Sequence, residues 1–205
     1  MPEMEPTTKQ AILDAGESEF LNKGFHAASL RNIVKDAGVT TGAFYGYYKS
    51  KEELFDALVA EPYNTLMKRF LKAQDTFATL PPEEQPANMG NISGECMDWM
   101  VDYIYEHLNA FQLLLCCAEG TRHEQFLHTL AEIEVDATHR FLEVLRRLGH
   151  PVPDIDPQLE HILVSGMFSA FFEIVIHNMT QEQARDYVQT LREFYTAGWQ
   201  KVMGL

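Results

Sequence analysis

Apolar residues recur at helical spacing along most of the chain, and no stretch sustains the two-residue alternation of a half-buried strand. Ile12, Leu13, Phe20 and Leu21 share one face between Thr8 and Lys23, and Gly24 ends that pattern. Ser29 stands as N-cap of a short helix to Ala37, with Leu30, Ile33, Val34 and Ala37 inward, and Gly38 is placed as its left-handed C-cap. Thr40 opens a second short helix whose Phe44 and Tyr48 point inward. Ser50, with Glu53 three positions on, predicts a capping box for a longer helix that Pro62 breaks or kinks. Residues 79–91, with three prolines, read as a loop. Helical segments follow over 92–108, 110–118 and 122–148, then a loop at 149–157, then helices over 158–178 and 181–203.

The expected fold class is all-α. A three-helix, helix-turn-helix DNA-binding head (1–51) joins a larger helical effector-binding and dimerisation domain (52–205). A helix of about eight residues, a tight turn at Gly38 and a second short helix make two helices cross steeply. In such a motif the second helix enters the major groove with its N-terminal end.

Charge sharpens this division. The chain carries a formal net charge of −14, which alone argues against nucleic acid. Residues 1–51 hold six basic and six acidic side chains, whereas 52–205 hold ten basic and twenty-four acidic, so the acidity belongs to the body. DNA is thereby discouraged from lying anywhere but on the head. The apolar fraction of 46% and charged fraction of 22% are ordinary globular values. No signal peptide is legible, and the longest apolar run, Ile162 to Ile176, contains Glu173 and reads as too short to span a bilayer. A cytoplasmic protein without a membrane partner is expected.

On the head, Thr40, Thr41, Gly42 and Ala43 are small enough to let the recognition backbone approach the groove. Tyr45, Tyr47, Lys49 and Lys51 offer hydroxyls and charges to phosphates, as do Ser29 and Arg31 with the free amides of their helix start. No Arg, Asn or Gln lies between Thr40 and Tyr48, so specificity rests partly on DNA shape, and Arg31 is the best candidate for a guanine contact.

The stretch SLRNIVKDAGVTTGAFYGYYKSKEELFDAL (Ser29–Leu58) closely resembles the DNA-binding head of the tetracycline-repressor (TetR) family. The shared features are the AGV turn, the small-residue start of the recognition helix, the Phe44-Tyr45 pair and the Lys49-Ser50-Lys51-Glu52 run. The preceding AILDAGESEFLNKGFHAAS resembles the family's first helix, and the match covers residues 8 to about 58. Gly46 and Tyr47 depart from the usual bulkier aromatic and His. The resemblance implies a homodimer built on a four-helix interface from the last two helices.

In the body, 158–178 is apolar almost all round, so it is buried on several sides. Leu163, Gly166, Met167 and Ala170, with Leu191, Tyr195, Gly198, Trp199 and Val202, are the candidate dimer interface. Trp99, Met100, Tyr103, Phe111, Leu114, Cys117, Phe168, Phe171 and Phe172 are candidates to line an apolar effector pocket, with Glu173 and His177 to orient the ligand. Taken singly, each is more often core than ligand contact.

The stripe Glu124, His128, Glu132, Asp136, Arg140 reads as a solvated face with i,i+4 pairs rather than a metal set. Cys96, Cys116 and Cys117 read as buried free thiols. No cofactor, metal or catalytic residue is assigned, because neither a nucleophile–base pair nor a ligand set is present. The leading expectation is a homodimeric repressor that leaves a palindromic double-stranded operator when a small molecule binds. A redox- or metal-responsive regulator and a helical interaction protein without DNA binding are the alternatives.

Overall fold

A computed structural model describes residues 7–205, so residues 1–6 of the expected head lie outside the described residues. The described residues form α1 (Thr8–Ala27), α2 (Leu30–Asp36), α3 (Thr41–Tyr47), α4 (Lys51–Ala78), α5 (Gln85–Glu106), α6 (Leu108–Cys116), α7 (Phe126–Arg147), α8 (Pro157–Ile176) and α9 (Gln181–Met203). A short 3-10 turn covers Pro82–Glu84, and no strand occurs among the described residues. The all-α expectation holds.

Local chemistry explains most of the helix ends. Gly24 takes a φ of 72° inside α1, the left-handed turn at which the pattern stops. Asp156 accepts from the Gln158 and Leu159 amides at the start of α8, and Thr180 with Gln183 forms a capping box on α9. Ser50 accepts from the Glu53 amide, but the Glu53 carboxylate takes the Lys49 N–H at 2.5 Å instead of the N-cap's own.

Four expectations change. α4 runs unbroken through Pro62, a buried ring flanked by Val59 and Leu66, both with no exposed surface. Burial on both sides of the missing hydrogen bond holds the helix together where local propensity would end it. The 79–91 loop shrinks, because α5 starts at Gln85 and Pro86 falls in its first turn, where no N–H is needed. α7 begins at Phe126 rather than 122, so Glu124 leaves the helical stripe and accepts from the Gly120 amide at 2.9 Å. α8 (Pro157–Ile176) is a 20-residue helix long and apolar enough, by length and composition, to cross a membrane, longer than the apolar run Ile162–Ile176 on which the expectation rests. Its Val164, Phe168, Phe171 and Phe172 are buried, and the helix packs on α7 and α9.

The chain divides into two compact units. Among the described residues the first comprises 7–64 together with His107–Glu124, and the second Thr65–Glu106 with Gln125–Leu205. The expected boundary lies after Lys51, but Leu54, Phe55 and Val59 of α4 are fully buried in the first unit. Phe20 and Phe25 meet Phe55 edge-on at 5.2 and 5.5 Å. α6 packs on α1 in this unit, and the Phe25 amide donates to the Cys117 carbonyl at 3.0 Å. In the second unit α5 lies on α9 and α7 on α8, with Phe126 edge-on to Phe172 at 5.3 Å.

Candidate nucleic-acid interface and ligand cavity

The helix-turn-helix is built around a small dry core. Ile33 and Phe44 have no exposed surface, Val34 and Tyr48 almost none, and α2 packs on α3. Gly38 has a φ of 66°, and the Val39 amide returns to the Val34 carbonyl at 3.1 Å, which closes the turn. Thr40 caps α3 by accepting from the Ala43 amide at 3.1 Å. That bond uses the hydroxyl as acceptor and leaves its proton free to donate.

On the outward side, Arg31, Thr40, Thr41, Gly42 and Lys49 are exposed, and Ala43 is half-buried. Tyr45 and Tyr47 are 53% and 48% exposed, so large aromatic side chains stand in solvent where no packing demands them. These residues lie on α3 and the short segments flanking it, beside Arg31 of α2.

Two expected phosphate contacts are engaged inside the head. Lys51 directs its ammonium at the carbonyls of Phe25, His26 and Ala28, at 2.5, 3.3 and 3.0 Å, and lies 4.4 Å from the Phe25 ring centroid. All three of its protons have acceptors, and burial lowers its pKa. It secures the end of α1 and has no donor left for phosphate. Ser29 is the N-cap of α2, yet its hydroxyl makes no cap bond, and its amide donates to Glu19 Oε1 at 2.9 Å. That amide is therefore not free for an anion.

Glu19 is a residue the sequence reading passed over. It is 8% exposed and accepts from Lys23 Nζ at 2.9 Å, the Ser29 amide and Asn32 Nδ2 at 3.1 Å. Burial pushes its pKa up, but these donors outweigh burial and hold the carboxyl below its ordinary value. The carboxylate joins α1 to the start of α2 and so sets the angle at which α2 leaves. A charged residue amid the apolar positions of an amphipathic helix was the available signal.

The second unit contains a cavity of about 130 Å³. Its wall is mainly aromatic and thioether: Phe70, Phe77, Met97, Phe141, Phe168 and Trp199 are among its residues, drawn from α4, α5, α7, α8 and α9. Of the expected effector residues, Met100, Phe168 and Phe171 lie in this wall. Trp99 stacks on Tyr103 at 4.8 Å outside it. Phe111, Leu114 and Cys117 belong to the first unit. Phe172 is buried between Phe126 and Phe171, and Glu173 pairs with His177 at 3.0 Å one turn along α8.

Three expected dimer residues, Met167, Tyr195 and Trp199, line this same cavity. Leu163, Gly166, Ala170, Leu191 and Val202 are half-buried, and Gly198 is exposed. The exposed large apolar side chains of α8 and α9 are instead Leu159, Ile162, Ile176 and Phe194, the last 71% exposed.

Cys96 and Cys117 are buried free thiols as expected, but Cys116, at the end of α6, is exposed. Burial raises the pKa of Cys116 and Cys117, and pushes the Cys96 thiol, in the cavity wall, up to about 11. His128 pairs with Glu132 at 3.2 Å, one link of the expected i,i+4 face.

A helix-turn-helix with an exposed, small-residue recognition helix, on a chain with a second helical unit, defines a DNA-binding transcriptional regulator. Residues 12–58 match the family described as bacterial regulatory proteins, tetR family. The HTH-type transcriptional regulator UidR of Escherichia coli strain K12 is 34% identical over 190 residues, 90% of this chain and 89% of that protein. The chain belongs to the TetR family of transcriptional regulators. A match to the uncharacterized regulator YdgC of Bacillus subtilis, 38% identical, spans 61 residues, 30% of this chain and 31% of that relative. The fold is similar to that of SmeT, the repressor of the Stenotrophomonas maltophilia multidrug efflux pump SmeDEF. That likeness has a TM-score of 0.59 at 18% identity, covering 95% of this chain and 90% of SmeT. SmeT has also been solved in complex with triclosan.

Proposed function

We propose that this regulator is a homodimeric repressor that grips a palindromic operator with two heads and releases it when a small molecule fills the cavity of the second unit. The observation that carries the reading is the cavity itself. A partly open, aromatic-lined cleft inside a regulator is suited to receive its signal. Phe70, Gln74 and Phe77 of α4 line it, and the same helix begins in the head at Lys51. A ligand that prefers one setting of α4 shifts the population of DNA-competent molecules by its differential affinity. UidR, similar over nearly the whole chain, is a transcriptional regulator, and SmeT, of like fold, is a repressor with a ligand-bound structure.

In this reading Arg31, Thr40, Thr41, Gly42, Ala43, Tyr45, Tyr47 and Lys49 meet DNA, with Ser29 beside them. Leu159, Ile162, Ile176 and Phe194 join the small residues of α8 and α9 in burying a second copy. The protein works in the cytoplasm, where its operator lies.

Fluorescence anisotropy with duplex taken from upstream of its own gene tests this. Saturable, salt-sensitive binding, lost in the double variant Tyr45→Phe with Lys49→Ala, is expected. Equal affinity for random duplex at physiological salt overturns it.

A further inference from the structure

The cavity wall holds two charged side chains, Glu134 and Arg192, among many apolar ones. Their situations differ. Arg192 already has a counter-charge, since its Nη1 lies 3.1 Å from Asp98. Its guanidinium also packs closely on Gly94, where a Cβ would stand 2.5 Å from that nitrogen. Glu134 has no cation. Its Oε2 accepts one hydrogen bond, 2.6 Å long, from the neutral amide of Gln74, and no ion pair reaches it among the described residues. Arg69 does not line the cavity, and its guanidinium lies over the Trp99 ring, 5.7 Å from the centroid.

Glu134 is partly buried, and beside this apolar wall its carboxylate keeps fewer hydrogen-bond partners than in open water. Burial accordingly raises the pKa of Glu134, with the Gln74 bond opposing in part. An ammonium group brought in by a ligand is the partner that would restore the charged form. The surrounding rings add to this, because aromatic faces attract cations. Phe70 and Phe168 stand edge-to-face at 5.6 Å in the wall, an arrangement that accepts a further ring. A volume of about 130 Å³ suits one ring, given that an apolar cavity of about 150 Å³ holds a benzene in another protein. The net charge of −14 favours the approach of cations from solution.

We propose that the cavity selects a small aromatic amine, with its protonated nitrogen on the Glu134 carboxylate and its ring among Phe70, Phe168 and Phe171. This rests on the reading of the cavity as the effector site.

The test uses three probes of one shape and different charge: phenethylamine, 2-phenylethanol and phenylacetate. Each is titrated into the full-length protein by calorimetry and by the fluorescence of Trp199, which lines the cavity. The amine is expected to bind about tenfold tighter than the alcohol or the acid. In Glu134→Gln, which keeps the side-chain volume, the amine's advantage vanishes while the alcohol binds as before. Retained alcohol binding certifies that the variant is folded, and the wild-type series stands without it. An alcohol or acid that matches the amine overturns the inference and leaves the effector cavity standing. If none of the three binds, this inference falls; the cavity reading falls as well if Ala137→Phe, which fills the space, leaves operator affinity unchanged.

Discussion

In the first unit the buried carboxylate of Glu19 has three donors, one of them a cation. In the second the carboxylate of Glu134 has one, and it is neutral. The same chemical group is a closed structural joint in one place and has a single neutral protein donor in the other. The pKa directions follow, lowered for Glu19 and raised for Glu134. Other features align with this contrast. The head satisfies Lys51 with three backbone carbonyls and packs Phe20, Phe44 and Phe55 with no exposed surface. The second unit keeps a void between its helices. A part that must present a fixed surface to DNA gains from having its polar groups committed. In the proposed function the second unit responds to a small molecule, and unfilled volume with a lightly partnered polar group suits that task.

The largest effect that tests this contrast is expected from Phe44→Ala. Emptying a fully buried aromatic position in a core of a few residues costs about 3–5 kcal/mol, so the head unfolds and operator binding disappears. Urea unfolding followed by circular dichroism, beside anisotropy, checks it. A variant that still bound DNA would show the head core to be far more tolerant than described.

Next comes Ile162→Asp with Phe194→Asp. Two charges on the exposed apolar side chains of α8 and α9 yield monomers in sedimentation, and operator affinity falls by about 100-fold through lost bivalency. A dimer that persisted would place the interface elsewhere.

Lys51→Met separates the structural from the DNA-contacting reading of that lysine. Three carbonyls lose their donor, and stability drops by about 1–3 kcal/mol while the salt slope of DNA binding stays as it was. A slope reduced by one contact would return Lys51 to the phosphate backbone.

The two glutamates then give opposite pH signatures. The folded pKa of Glu19 is lowered, so its contribution is present above the unfolded value of about 4.3 and is lost as pH falls through the folded value. Glu19→Gln should therefore lower the melting midpoint at pH 7, and by progressively less as the pH falls below about 4. The folded pKa of Glu134 is raised, so its contribution is held at low pH and is lost as pH rises through the folded value. Glu134→Gln should raise the midpoint at pH 8 by the equivalent of about 1 kcal/mol and do little at pH 4. Equal behaviour of the two variants across pH would erase the contrast.

The smallest effect belongs to Lys49→Ala. In the proposed interface its exposed charge makes one phosphate contact, so the salt dependence of DNA binding should fall by about one unit at unchanged stability.

The head was legible in the sequence because its signals are local. Gly24 and Gly38 mark left-handed turns, Thr40 caps the helix it precedes, and Ile33, Val34 and Phe44 lie close together along the chain. The family match covers the same stretch, residues 12–58. The cavity was legible only in part. An aromatic on an apolar helix can face a void or a solid core, and periodicity does not distinguish them, so Phe168 and Phe171 were found but Phe70, Phe141 and Trp199 were not assigned there.

By itself, then, the sequence determined the helical class, the helix-turn-helix and the family. Spacing, caps and turn residues act over a few positions and need no distant partner. The tertiary structure decided what lies between distant positions: Lys51 closing on carbonyls some 25 residues back, Pro62 carried inside α4, and Glu134 placed at a void with Gln74. Each of those outcomes depends on what packs against the residue, and packing is a property of the folded chain rather than of any window along it.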